Sequence, residues 1–280
     1  MTPRQLILDI AAMLREREVP DPVTDSALLL SSLMGKSPLE LRADFDTEVP
    51  ADVEEQMRQL ADMRMTRLPL QYILKEAPFC GKTFYVDEGV LIPRPETELL
   101  CYWALEFLPP TGSLNVLDLC TGIGCIGLTI KSERPETCVT LLDLSPEALK
   151  VAEINRKRLS LNVRIIKSDL FSALPENSLF DMILSNPPYI PSAAGIGLQQ
   201  EVTFEPAMAL FGGEDGLDFY RAIAENAPAH LTPGGILMME LGDGEAEHVR
   251  LLLQSYGWKG IEFKEDYADK LRIVKAVKQV

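Results

Sequence analysis

The run Leu114-Asn115-Val116-Leu117-Asp118-Leu119-Cys120-Thr121-Gly122-Ile123-Gly124 is an apolar strand entering a glycine turn. A helical pattern follows from about Cys125. Glycines at a strand-to-helix turn let the backbone come close to a ligand. A Gly-x-Gly alone fits an ordinary tight turn as well as a nucleotide-type site. The neighbouring elements have to decide between the two.

The next strand, Val139-Thr140-Leu141-Leu142, ends in Asp143. An acid about 20 residues beyond such glycines can reach ribose hydroxyls. Ser145-Pro146 opens the following helix, so Asp143 also fits an acidic cluster at that helix start. A third strand ends at Ser168-Asp169-Leu170-Phe171, an acid and an apolar pair suited to the amine and face of an adenine. The other reading of Asp169 is a helix or turn cap. Strands are expected at 114–119, 138–143, 163–167, 179–185, 235–241, 260–264 and 271–277, with helical patterns between the early ones. That alternation predicts a mainly parallel sheet covered on both faces, an α/β fold. Open parallel sheets bind ligands beyond the carboxyl ends of their strands.

The fourth strand carries the second informative segment. Phe180-Asp181-Met182-Ile183-Leu184-Ser185 runs directly into Asn186-Pro187-Pro188-Tyr189. Asn186 precedes a proline and is held extended. Pro187 and Pro188 have fixed φ and no N–H, but their carbonyls still accept. The tetrapeptide is a stiff ledge rich in acceptors, with an aromatic face from Tyr189. Such a ledge can hold a planar –NH2 group by both N–H bonds, as methyl transfer to that nitrogen requires. An ordinary proline-rich turn after a strand has the same sequence.

The first 70 or so residues read as short helices. Thr2-Pro3-Arg4-Gln5 and Ser37-Pro38-Leu39-Glu40 are capping boxes with proline at the first helical position. Leu6, Ile7, Ile10, Met13 and Leu14 recur at helical spacing. A second helix is expected from near Asp25 to Gly35, and a further one through Val53, Met57, Leu60 and Met63. From Phe79 to Ile92 the period changes to two, predicting a hairpin with Gly81 and Gly89 as turn points. The expected organisation is a helical domain at 1–75, a β-hairpin connector at 76–93 and an α/β domain at 94–280.

Net charge is −15, which argues against general affinity for phosphate backbones. Arg156-Lys157-Arg158 lies near a helix C-terminus, where cations complement the dipole. No apolar run approaches the roughly 20 residues of a membrane helix. Met1-Thr2-Pro3-Arg4-Gln5 lacks the marks of a signal peptide. Five cysteines without C-x-x-C spacing suit a reduced cytoplasmic protein. His230 and His248 lie in no metal-ligand pattern, so no metal site and no Ser-His-Asp triad is expected.

The order Asp118-x-x-x-Gly122-x-Gly124, Asp143, Asp169 and Asn186-Pro187-Pro188-Tyr189 resembles the Rossmann-like class I methyltransferases that use S-adenosylmethionine. Leu70-Gln71-Tyr72-Ile73, Phe79-x-Gly81-x-x-Phe84-x-Val86, Ile92-Pro93-Arg94-Pro95-Glu96-Thr97-Glu98, Phe204-Glu205-Pro206-x-x-Ala209-Leu210 and Gly213-x-Asp215-Gly216-Leu217 with Tyr220-Arg221 narrow it to the HemK/PrmC family. The resemblance covers essentially the whole chain. It implies methylation of the side-chain amide nitrogen of the glutamine in the Gly-Gly-Gln motif of peptide chain release factors. It also implies that Asn186 and the Pro187 carbonyl hold that amide, with Pro188 and Tyr189 beside it, and that the helical domain helps bind the release factor. Cys120, Thr121, Gly122, Ile123, Gly124, Asp143, Asp169, Leu170 and Asn186 are the expected cofactor-binding residues, and Asp118 is read with them.

One position departs from the family pattern. Cys120 stands where glycine is usual, and its Cβ disfavours φ > 0. Either its φ is negative, or the loop is reshaped. With no strong base in the motif, the expected mechanism is positioning of nitrogen, methyl carbon and sulfur in line. Competing readings are an adenine amino-methyltransferase, which would need a flipped base in DNA or RNA, and a non-catalytic cofactor-binding scaffold. A monomer that binds no nucleic acid and no membrane is expected.

Overall fold

Both capping boxes close as their sequences predict. Thr2 and Gln5 exchange bonds at the start of α1 (Pro3–Glu16). Ser37 and Glu40 do the same at α3 (Pro38–Ala43). Between them, α2 (Pro22–Met34) starts three residues before Asp25, because Asp21-Pro22 supplies the helix start, and it stops at Gly35 with φ 61. Then come α4 (Ala51–Met65) and α5 (Leu70–Leu74). The computed structural model describes residues 1–43, 47–195 and 197–279.

The chain divides into two compact units, Met1–Glu76 with Gln199–Phe204, and Ala77–Leu198 with Glu205–Val280. The first is built on Leu6, Ile10, Leu14, Leu29, Leu30 and Met57, all fully buried. Residues 199–204, which the sequence reading places inside 94–280, fold with this unit. Glu201 accepts from Arg64 at 2.9 Å and from Arg67 at 2.7 and 2.8 Å, and Arg64 also donates to Asp25 at 2.7 Å. Burial pushes the Glu201 carboxyl up, but the two guanidinium groups outweigh it and hold it at about 2.

The second unit begins one residue into the hairpin of β1 (Glu76–Phe79) and β2 (Lys82–Tyr85). Cys80 (φ 48) and Gly81 (φ 71) form its two-residue turn, both left-handed as a primed turn demands. The strands end at Tyr85, so the hairpin is shorter than the alternation up to Ile92 suggests. Gly89 (φ 84) turns the chain there, and Val90 and Ile92 are buried without strand pairing.

A seven-stranded sheet follows. Its strands are β3 (Asn115–Leu119), β4 (Cys138–Asp143), β5 (Arg164–Lys167), β6 (Phe180–Ser185), β7 (Leu231–Glu240), β8 (Lys259–Glu265) and β9 (Leu271–Val277). The order is β5-β4-β3-β6-β7-β9-β8. All neighbours through β7 are parallel, and β9 is antiparallel to both β7 and β8. The mainly parallel α/β fold is therefore as expected. The interleaved helices are α6 (Pro95–Phe107), α7 (Cys125–Glu133), α8 (Pro146–Arg158), α9 (Ala207–Leu210), α10 (Asp218–Asn226) and α11 (Ala246–Ser255). Leu117, Ile183, Leu237, Met239, Tyr220, Val249 and Trp258 form one core beneath the sheet. Such side chains contribute roughly 1.5–3 kcal/mol each on burial. Strand order reverses between β3 and β6, the point at which open α/β sheets leave a crevice.

Candidate active site

Register brings most of the sequence-predicted residues to that crevice. Leu119 pairs with Leu142 on one side and Ser185 on the other, and Asp143 pairs with Lys167. The glycine loop, Asp143, the Ser168–Leu170 turn and the Asn-Pro-Pro-Tyr ledge therefore leave the sheet at one edge. They surround a cavity of about 240 Å³ lined by Cys120, Gly122, Asp143, Ser168, Asp169, Leu170, Asn186 and Pro188. Val90, Leu91, Leu142, Pro206, Met208, Phe211 and Phe219 make the rest of its wall mostly apolar. A side cavity of about 30 Å³ shares Leu91, Cys120, Gly122 and Asn186, and adds Arg94, Thr97, Thr121 and Ile123. A larger hollow of about 390 Å³ lies at the opposite strand ends, among Asn115, Cys138, Arg164 and Phe180, and holds none of the candidate residues.

Asp143 accepts the Gly122 N–H at 2.7 Å through one carboxylate oxygen and the Ser145 N–H at 2.9 Å through the other. The side chain braces the turn into α8 and also lines the cavity. Each oxygen keeps acceptor capacity. Burial raises its pKa, and the backbone N–H groups oppose that. Gly122 (φ 57) has nothing within 4 Å of where a Cβ would stand, so its face is open. Asp169 is exposed at the cavity rim. Leu170 lines the wall in a left-handed conformation (φ 44), fixed by a 2.6 Å bond from the Ser168 hydroxyl to the Leu170 carbonyl. Phe171 does not join it. Its ring stacks on His230 at 5.0 Å in the core, so only one member of the expected apolar pair reaches the cavity.

Three further expectations are corrected. Cys120 has φ 59, so it takes the left-handed geometry that favours glycine and carries its steric cost. That cost is about 1–2 kcal/mol for a non-glycine residue. Burial, followed by the Asp143 charge, pushes the thiol pKa up and keeps it protonated. Asp118 lines neither cavity. It is fully buried, and one oxygen accepts from the Thr121 hydroxyl and from Gly127 N–H at 2.8 Å. It braces the glycine loop from beneath, and burial, against those two bonds, raises its pKa to about 7. Gly124 also lines neither cavity. It is the N-cap of α7 with φ 85, facing Leu128 and Leu141.

Gly127 completes a Gly-x-Gly-x-x-Gly run that went unread in the sequence. A Cβ there would stand 2.2 Å from Leu141 and 3.0 Å from Asp118, so the glycine lets α7 press onto the sheet. The ledge is backed in the same way. A Cβ at Gly212 would meet the Pro188 carbonyl at 2.6 Å, and one at Gly216 would meet the Tyr189 carbonyl at 2.4 Å. Glu205 accepts the Ile92 N–H at 3.2 Å and the Arg94 guanidinium at 2.5 Å, joining two of the quoted motifs at the cavity wall.

On the ledge, Asn186 faces the cavity, Pro188 contributes wall, and Pro187 is buried. Asn186 Nδ2 donates to Thr97 Oγ1 at 3.1 Å, and among the described residues no protein donor reaches its Oδ1. Tyr189 lines neither cavity and instead donates its hydroxyl to Glu240 Oε1 at 3.2 Å. Glu240, at the end of β7, was not read as a site residue. It is 1% exposed and also accepts from Thr97 at 2.6 Å. Burial, against its hydrogen bonds from Thr97 and Tyr189 and the Arg272 charge, raises its pKa to about 7.

Residues 97–208 match the profile of the methyltransferase small domain, and residues 5–74 match the PrmC N-terminal domain. The release factor glutamine methyltransferase of Clostridium acetobutylicum is 36% identical over 279 residues, 98% of each chain. That of Geobacter sulfurreducens is 41% identical over 237 residues, 84% of this chain and 82% of the relative. A methyltransferase from Pyrococcus furiosus superposes with a TM-score of 0.56 at 20% identity, covering 81% of this chain and 98% of that one, which is a likeness of fold. With identity of this extent across both the helical and the α/β regions, the chain belongs to the release factor glutamine methyltransferase family.

Proposed function

We propose that this chain transfers a methyl group from S-adenosylmethionine to the side-chain amide nitrogen of the glutamine in the Gly-Gly-Gln motif of peptide chain release factors. Family membership supports the activity. The observation that carries the site assignment is Asn186, which lines the cavity with its Nδ2 donated to Thr97 and its Oδ1 without a protein donor among the described residues.

The cavity suits the cofactor. Asp143 offers a carboxylate to ribose hydroxyls beside the open face of Gly122, and Leu170 with Asp169 provides an apolar wall and an acceptor for adenine. Cys120, Thr121 and Ile123 complete the loop around it. Gly124 takes part through backbone geometry alone. When bound, S-adenosylmethionine supplies an electrophilic methyl carbon. The chain's own residues must present the amide nitrogen to it.

An amide nitrogen is a weak nucleophile because its lone pair is delocalised. Asn186 Oδ1 and the Pro187 carbonyl accept its two N–H bonds and orient it, and acceptors there also favour the positive charge that develops on nitrogen. Pro188 makes the ledge stiff. Tyr189 acts by holding the ledge to Glu240 rather than by stacking on the amide.

The helical residues 1–75 recognise the release factor in this reading, and the α/β residues carry the chemistry. The protein acts as a cytoplasmic monomer. A net charge of −15 favours a protein substrate over a nucleic acid. Mass spectrometry of a release factor incubated with the enzyme and labelled cofactor tests the proposal. One methyl group on the Gly-Gly-Gln glutamine is expected. Asn186→Ala should lower turnover about 10²-fold or more, with the fold intact. Methylation of an adenine-containing duplex instead of the release factor would overturn the reading.

A further inference from the structure

Thr97 and Glu240 lie outside the ledge and the glycine loop, yet they form a continuous hydrogen-bonded chain with it. Asn186 Nδ2 donates to Thr97 Oγ1 at 3.1 Å, Thr97 Oγ1 donates to Glu240 Oε2 at 2.6 Å, and the Tyr189 hydroxyl donates to Glu240 Oε1 at 3.2 Å. The Glu240 backbone carbonyl is itself fixed, accepting from the Tyr220 hydroxyl at 3.0 Å. Thr97 is 2% exposed and Glu240 1%, so water has little access to the link between them.

The chain has a direction. A threonine hydroxyl has one hydrogen. Here that hydrogen is committed to Glu240, so Oγ1 can only accept from Asn186. Asn186 must therefore turn its –NH2 to Thr97 and its oxygen to the cavity. The two orientations of an asparagine amide differ by a half-turn and have almost the same shape, so packing distinguishes them poorly. For a substrate that brings two N–H donors, they have opposite consequences. One offers an acceptor, and the other sets donor against donor.

We propose that Thr97 and Glu240 are positioning residues that fix the orientation of the Asn186 side-chain amide, so that its oxygen meets the substrate nitrogen. This rests on the reading of Asn186 as the acceptor for that nitrogen. The arrangement tolerates a proton on Glu240. The direction is kept when the proton sits on Oε1, where Tyr189 turns from donor to acceptor and Oε2 continues to accept from Thr97. Arg272 and Glu96 are the charged neighbours that bear on this carboxyl.

The test compares Thr97→Val, which keeps shape and removes the hydroxyl, with Thr97→Ser, which keeps the hydroxyl. Thr97→Val is expected to lower kcat on a Gly-Gly-Gln protein substrate about 10²-fold, the scale of a small misplacement at a reacting centre. Cofactor affinity by calorimetry should stay within about twofold, since Thr97 supplies no group to the cofactor in this reading. Thr97→Ser should retain activity within a few-fold of wild type. A second readout needs no turnover. The Asn186 side-chain amide protons should be protected from exchange in wild type and Thr97→Ser, and lose that protection in Thr97→Val. Normal kcat or unchanged protection in Thr97→Val would overturn the inference. If Asn186→Ala itself retains turnover, the acceptor reading fails, whatever the Thr97 variants do.

Discussion

Replacing Glu240 with glutamine should change how stability depends on pH. The carboxyl is buried at the end of β7, and its pKa is raised from 4.5 to about 7, first by burial and despite bonds from Thr97 and Tyr189. A carboxyl with a raised folded-state pKa adds stability that is fully present below its unfolded pKa and is lost as pH rises through its folded pKa. The difference, 7 less 4.5, is 2.5 pKa units. At about 1.4 kcal/mol per unit, roughly 3 kcal/mol is at stake. Most of that falls between pH 5 and 8. Glutamine does not ionise, so Glu240→Gln should gain about 2 kcal/mol relative to wild type across that interval. Asp118, also raised to about 7, is present in both proteins and cancels in the comparison. Urea denaturation of both proteins at pH 5, 6, 7 and 8 supplies the measurement. Parallel stability curves, or a relative gain by wild type at high pH, would refute the reasoning.

Two further substitutions probe the cofactor loop. Asp143→Ala should weaken S-adenosylmethionine and S-adenosylhomocysteine by roughly 1.5–3 kcal/mol in calorimetry, the value of hydrogen bonds to a charged group; unchanged affinity would leave Asp143 only its turn-bracing role. Cys120→Gly should raise stability by up to about 1 kcal/mol, because relief of the left-handed strain exceeds the added backbone entropy of the unfolded chain. A lower denaturation midpoint for that variant would show that Cys120 packing outweighs its strain.

The parts legible in the sequence were those governed by local periodicity. The strands at 138–143 and 271–277 have the boundaries that apolar patterning gives. β7 begins at Leu231 rather than 235, because Thr232-Pro233-Gly234-Gly235 reads as a turn but is absorbed as an irregularity in pairing between Phe180–Leu231 and Met182–Ile236. At the site, the crevice residues were readable because each ends a strand. Glu240 was not, since nothing near it in sequence marks it, and its partner Thr97 lies 143 residues away. Asp118 was misread for a related reason. An acid beside a glycine loop looks the same whether it faces a ligand or, as here, the helix packed behind the loop.

Residues 199–204 have a consequence for dissecting the molecule. The polypeptide passes from one unit to the other at 76/77, 198/199 and 204/205, three junctions rather than one. The helical unit is therefore not one continuous N-terminal stretch. Cut after residue 75, the first part leaves Arg64 and Arg67 without Glu201, and the remainder carries Glu201 without its two cations. The boundary that a gene editor would choose from sequence is a boundary of the chain, while the boundary of the fold falls at 198/199, about ten residues after the Asn-Pro-Pro-Tyr ledge.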